Sequence, residues 1–238
     1  MSTTINNRWL SLLVICFGGG IIYIIPYLQF SYYDPIKEGL NISHSQMGDL
    51  MSILGITSSI CYLLGGVAAD KFSVRYLLTI AFVGTGTLGL WMASFPSYSQ
   101  MVVIMFLFAI MTILLYWPAM IKAIKLLAND GEYGKMFGFR EAGFGLFGLI
   151  FTQVGAWFIF NNAGNTVEGA RNTIIFFSTI CFIAAIFSFI LIPHSEIANK
   201  TDTSEPKEAI FQHILETIKI PAVWFIGLTI FCLYTVYS

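Results

Sequence analysis

Seven long apolar stretches, separated by polar segments, decide what this chain can fold into. They run Trp9–Phe30, Gln46–Ala69, Tyr76–Phe95, Gln100–Ile121, Met136–Phe160, Asn172–Ile192 and Ala222–Ser238. A hydrocarbon core about 30 Å thick takes about 20 apolar residues of helix, so each stretch reads as a transmembrane span. Lipid offers no partner for unpaired backbone groups, and the alternation of a β-barrel strand is missing, which leaves helix. Charged residues make up 11% of the chain and the mean hydropathy is +0.78. A soluble domain carries roughly 25% charged residues. The expectation is an all-α polytopic membrane protein with the lipid bilayer as its solvent.

The basic residues orient these spans. Of the 12 Lys and Arg, only Lys37 and Arg171 fall outside if the N-terminus is cytoplasmic. Basic residues resist translocation, so the reading is a multi-pass protein of the inner (plasma) membrane with its N-terminus inside. The net charge of −1 gives no reason to expect a nucleic-acid partner. Cys16, Cys61, Cys181 and Cys232 each sit alone in an apolar stretch, a pattern of small hydrophobes rather than of a metal site or disulfide framework. No cofactor is expected. The first stretch is too long for a signal-peptide core and lacks a small-residue cleavage site, so it reads as a retained anchor.

The domains expected are a six-helix bundle over 1–193, a cytoplasmic linker over 194–220, and the start of a second bundle over 221–238. Within the linker, Ile210, Phe211, Ile214, Leu215 and Ile218 share one helical face, the pattern of an amphipathic helix on the inner membrane surface.

Between the second and third stretches lies Gly66-Val67-Ala68-Ala69-Asp70-Lys71-Phe72-Ser73-Val74-Arg75. Gly65 and Gly66 permit close helix approach. A carboxylate at Asp70 can meet a helix N-terminus in the thin polar layer. An ordinary solvated turn is the plainer reading. The segment resembles the loop Gly-x-Leu-Ala-Asp-Arg-x-Gly-Arg-Arg of the major facilitator superfamily, matching at Gly66, Ala69, Asp70, Lys71 and Arg75. It departs at Ala68, Ser73 and Val74, which weakens the tight turn but keeps the acid and two cations. The resemblance implies a six-helix N-terminal bundle of the major facilitator fold, plus a truncated seventh helix. It implies a transporter of a small polar or anionic solute that works by alternating access, with the substrate at mid-membrane between two halves. It also implies that Asp70, Lys71 and Arg75 bias a cytoplasmic gate, with a missing C-terminal half or a second chain as partner.

Charges inside spans default to functional candidates. Arg140 and Glu141 open the fifth span and read as inner-gate charges or as an interface cation with its counter-ion. Lys122 and Lys125 follow Tyr116-Trp117-Pro118; they snorkel to the leaflet, or Lys122 faces the cavity with Trp117 and holds an anion. Asp49 reads as a carboxylate reaching the outer interface. Tyr23, Tyr27 and Gln29, after the run Gly18-Gly19-Gly20, suit a polar solute path, although an aromatic belt also accounts for Tyr27. Gln153 is either a substrate contact or a helix–helix hydrogen bond. The Trp117-Pro118 segment with Lys122 is faintly similar to sugar-phosphate and organic-anion permeases, which carry a basic residue in span one that this chain lacks.

An enzyme is not expected, since no HExxH, GxSxG or mid-membrane Asp pair is present. A retinal protein would want a Lys in the last stretch, and residues 223–238 contain none. The seventh stretch stops without a polar flank, which suggests a truncated, non-transporting polypeptide from an interrupted gene as the alternative. For the topology, Ser73→Cys and Thr203→Cys are expected to react with a thiol reagent only after it is admitted to the cell interior. Labelling of either from outside would reverse the orientation.

Overall fold

A computed structural model describes residues 5–129, 131–162, 164–193, 220–225, 228–229 and 232. The chain divides into two units, Met1–Ile197 and Ala198–Ser238. In the second unit residues 221–225 are helical; the amphipathic pattern around Ile214 and most of the seventh stretch lie outside the described residues. Everything below concerns the first unit.

Its described residues form helices α1 (Ile5–Ile22), α2 (Tyr33–Leu40), α3 (His44–Lys71), α4 (Val74–Ala93), α5 (Tyr98–Ala109), α6 (Trp117–Leu127), α7 (Tyr133–Asn161) and α8 (Thr166–Leu191). A π-helical segment, Ile110–Tyr116, joins α5 to α6. Five helical runs are long and apolar enough to cross a membrane: α3, α4, Tyr98–Leu127, α7 and α8; Arg8–Ile22 is a shorter apolar helix.

The first apolar stretch is not one helix to Phe30, and the cause is Pro26. Proline has no N–H to give, and its ring would meet the carbonyl of Ile22, four residues back. The helix therefore ends at Ile22, and a turn leads to a single 3₁₀ turn at Leu28–Phe30. What reads as a loop before the second span contains α2, which buries Ile36 and Leu40 on one face and ends with Asn41 in the left-handed region at φ 50°. Pro118 acts differently. Its missing N–H leaves the Leu114 carbonyl unclaimed, and the chain widens into the π segment instead of breaking.

Helix starts follow local chemistry. Ser43 and Gln46 form a reciprocal capping box at α3, Ser97 and Gln100 do so at α5, and Asn165 caps α8 by accepting from the Glu168 N–H. The helices then close around two apolar clusters. One centres on Ile25, Leu50, Met101, Phe108 and Phe177, the other on Ile15, Leu78, Tyr116, Met120 and Ile124. Helix α4 packs along α8, α1 along α7, and α3 along α5. Helix α7 is the most open; its buried residues are Met136, Arg140, Phe151 and Gly155.

The α1–α7 crossing depends on Gly20, where an added methyl would lie 2.6 Å from Phe147 Cβ and 2.9 Å from the Gly148 backbone nitrogen. Gly20→Ala is expected to destabilise the detergent-solubilised chain by about 1–3 kcal/mol through overpacking. Gly55→Ala, whose methyl meets nothing within 4 Å, should not lower the melting temperature. Equal melting of the two variants would show that the crossing can relax.

Candidate functional site

Against α1 at Gly19, the bundle encloses a guanidinium. Arg140, on α7, is 2% exposed, the largest fully buried side chain among the described residues. Its carbon Cζ lies 4.8 Å from the Phe144 ring centroid and 5.7 Å from that of Trp117. Phe144 is four residues along the same helix, so it covers the same face. Arg140 Nη1 donates to Glu141, whose side chain is 46% exposed. Arg140 Nε and Nη2 and the buried hydroxyl of Tyr116 make no well-aligned hydrogen bond, although the Tyr116 hydroxyl lies beside the guanidinium and interacts with it. Both groups converge on α1 where it has no side chain: a methyl at Gly19 would sit 2.9 Å from Tyr116 Oη and 3.5 Å from Arg140 Nη2.

Tyr23 completes the wall. Its ring meets Tyr116 edge-on at 5.8 Å and Phe144 at 6.3 Å, and its hydroxyl makes a long 3.4 Å bond to the Thr112 carbonyl in the π segment. That carbonyl also accepts from the Trp117 N–H in the π ladder, so Tyr23 shares it. The result is a buried cluster in which one cation and the Tyr116 hydroxyl are walled by aromatic rings.

The structure thus brings together Tyr23, Trp117, Arg140 and Glu141 from the candidates named in the sequence. It adds Tyr116, Phe144 and Gly19. The signal for Phe144 was its spacing of four from Arg140; for Tyr116 it was its place just before Pro118. Other candidates lie elsewhere. Tyr27 stacks on Phe30 at 6.0 Å, Gln29 lies beside the Met-rich packing of Met47, Met51 and Met101, and Gln153 is exposed on α7. Lys122 donates to the Ala69 carbonyl at 2.6 Å, closing off the C-terminal end of α3.

The charged turn forms a separate locus. A cavity of about 600 Å³ is lined by Gly66, Ala69, Asp70, Pro118, Lys122 and Lys125, among others. Asp70 and Lys71 are exposed, and Asp70 has no hydrogen-bond or ion-pair partner among the described residues. Arg75 turns away to the end of α8, where Nε donates to the Ile192 carbonyl at 2.7 Å and Cζ lies 6.0 Å from the Phe189 ring. Arg140 and Glu141 pair with each other, not with Asp70. It is Gly65, not Gly66, that lies against Pro118, with 3.1 Å between an added methyl and the proline Cγ.

A profile described as Major Facilitator Superfamily matches residues 9–238. Over 235 residues, 98% of this chain, the sequence is 32% identical to "Inner membrane protein YqcE" of Escherichia coli K12. Over the same length it is 28% identical to "Inner membrane protein YihN" of that organism. The chain spans 55% of the length of each of these relatives. No solved structure gives a significant match.

The Arg140–Glu141 pair makes a stability test. Glu141→Gln leaves the buried guanidinium without its counter-charge and is expected to cost roughly 1–3 kcal/mol, less than for a fully enclosed pair because Glu141 is half exposed. Adding Arg140→Met should recover that loss in thermal melting. No recovery would mean that Glu141 acts through some other contact.

Proposed function

The chain belongs to the major facilitator superfamily, and from that premise we propose that it supplies the first bundle of an alternating-access transporter for a small anionic solute, held at Arg140. Transporters of this family are generally not enzymes. In this reading residues 1–193 are a six-helix bundle, whose first member is α1 with its turn to Phe30. Residues 194–220 form the linker, and 221–238 begin a second bundle with an incomplete seventh helix. The inner-membrane relatives and the bias of basic residues support an inner-membrane location with a cytoplasmic N-terminus.

One observation carries the substrate class: a desolvated guanidinium beside a buried hydroxyl, with no well-aligned hydrogen bond from Nε or Nη2. A carboxylate or phosphate oxygen accepts from a guanidinium fork in pairs. Here Arg140 Nε and Nη2 donate to the anion and Tyr116 donates a third bond. Trp117 and Phe144 hold the guanidinium plane from its faces and keep water out. The cluster is closed as described, and the π segment beside Pro118 is where the Tyr98–Leu127 run bends to admit solute. At the inner end, Asp70 meets the second bundle when the cytoplasmic side closes, and Lys71 and Arg75 set the local potential. Its exposed carboxylate without a partner inside the first unit supports that role.

Binding is measured without assuming a transport direction. Millimolar phosphate, sulfate and malonate, each against chloride at matched ionic strength, are added to the purified chain and melting is followed. At least one is expected to stabilise it. Arg140→Met should abolish the shift, and Tyr116→Phe should weaken apparent affinity by roughly 3–10-fold, the value of one hydrogen bond. Stabilisation that survives Arg140→Met would remove the site assignment; no response to any anion would remove the substrate class. In uptake assays of the complete transporter, Asp70→Asn should lower transport at least about tenfold with normal membrane insertion. Unchanged uptake would end the gating role.

A further inference from the structure

A second polar cavity, unconnected with the Arg140 cluster, opens where α1 and α4 begin and α6 and α8 end. Its volume is about 380 Å³, and its lining includes Arg8, Ser11, Arg75, Asn129, Ile190 and Leu191. Ser11 is held to the Leu191 carbonyl at 2.7 Å, which fixes the floor between α1 and α8. Two arginines from different helices face this space, and among the described residues a single acid, Glu132, accompanies them. Arg8 Nη1 pairs with Glu132 at 2.9 Å, and Asn129 Nδ2 donates to the same carboxylate oxygen. Arg8 Nε is buried without a partner. The only hydrogen bond of the Arg75 side chain among the described residues is from Nε to the Ile192 carbonyl, which leaves its terminal nitrogens for the cavity. The net charge of Arg8, Arg75 and Glu132 together is +1, and their donors outnumber their acceptors.

The rim is apolar. Ile190 is 64% exposed and Leu126 51%, so the cavity opens past exposed apolar side chains. We propose that this cavity binds the phosphate of an anionic phospholipid, with Arg8 and Arg75 on the headgroup and Ile190 and Leu126 against the first methylenes of the acyl chains. Basic pockets between transmembrane helices are suited to such headgroups. A soluble phosphate would have no use for the apolar lip, and a zwitterionic headgroup would bring an ammonium to a group whose described residues already carry net positive charge. Arg75 then links a bound lipid to the end of α8 through Ile192, so lipid occupancy holds α1, α4 and α8 together at this end.

The test uses the purified full chain, delipidated in a neutral detergent, and native mass spectrometry with added phosphatidylglycerol or phosphatidylethanolamine of matched acyl chains. Phosphatidylglycerol is expected to bind at least about fivefold more tightly, the scale of one basic residue near a lipid surface. Arg8→Gln and Arg75→Gln should each lower its affinity by about the same factor. Ile190→Trp, which narrows the lip and leaves both arginines in place, should also lower it, so the result does not depend on the arginine variants folding well. Lys37→Gln, on α2, should leave it unchanged. Equal binding of the two lipids, or full binding to both Arg75→Gln and Ile190→Trp, would overturn the proposal. So would displacement of phosphatidylglycerol by millimolar inorganic phosphate alone, which would make this a soluble-anion site.

Discussion

Every backbone N–H and C=O inside a bilayer must find a partner within the protein, and the architecture turns on the places where that demand is hard to meet. Two prolines create them. Pro26 ends α1 at Ile22, and Pro118 widens the helix before it into the π segment Ile110–Tyr116. These interruptions border one cluster: Tyr23 follows the first break, and Thr112 and Tyr116 lie in the second, with Arg140 between them. Interrupted spans are where membrane proteins can offer backbone carbonyls and side-chain hydroxyls to a polar ligand at depth. The location of the site is thus a consequence of the two helix defects.

The charges at the end where α1 and α4 begin have a different task. Lys122 serves the last carbonyls of α3, Arg75 those of α8, and Arg8 ties α1 to Glu132 at the start of α7. Each cation sits at a helix end whose carbonyls or acid complement it. Such contacts are partly exposed and individually weak. Together they fix how the helix ends are spaced, and that spacing leaves the two cavities at this end. Asp70 stands apart, since nothing among the described residues of the first unit claims it.

The extent of α3, α4, α7 and α8 was legible from hydropathy because lipid imposes length and composition together; their observed ends fall within a few residues of the apolar stretches. The end of α1 was not, although Pro26 stood in plain view, because the residues beyond it stay apolar and hydropathy does not register backbone hydrogen bonding. The same limit hid α2, whose Ile36 and Leu40 look like loop residues until the rest of the bundle covers them. At the site, Trp117 and Tyr23 were readable as candidates, and Arg140 as a charge of interest. Its depth was not readable. A long side chain near a helix start can snorkel outward or fold inward, and only the packing of Gly19 and Phe144 decides. Lys122 shows the opposite outcome, turning to the nearby Ala69 carbonyl.

The case that Arg140 awaits an anion rests on what its surroundings fail to supply. Removing a guanidinium from water costs several kcal/mol even after local relaxation. Against this stand two aromatic faces, worth about 2 kcal/mol when desolvated, and one charge-assisted bond to Glu141, worth about 1.5–3 kcal/mol. Glu141 is itself half exposed, so its attraction is the weaker end of that range. A guanidinium nitrogen left without a well-aligned partner carries a further penalty of about 1–3 kcal/mol, reduced where the Tyr116 hydroxyl meets the guanidinium. If Arg140 served only to hold helices together, an apolar side chain of similar volume would do so without these penalties. An anion bound across Nε, Nη2 and Tyr116 satisfies all three groups at once. The same anion would be released when the cluster opens to water, which offers those groups equivalent partners. In the proposed transporter, a site under-satisfied when empty and closed, and balanced when either filled or wet, would suit alternating access.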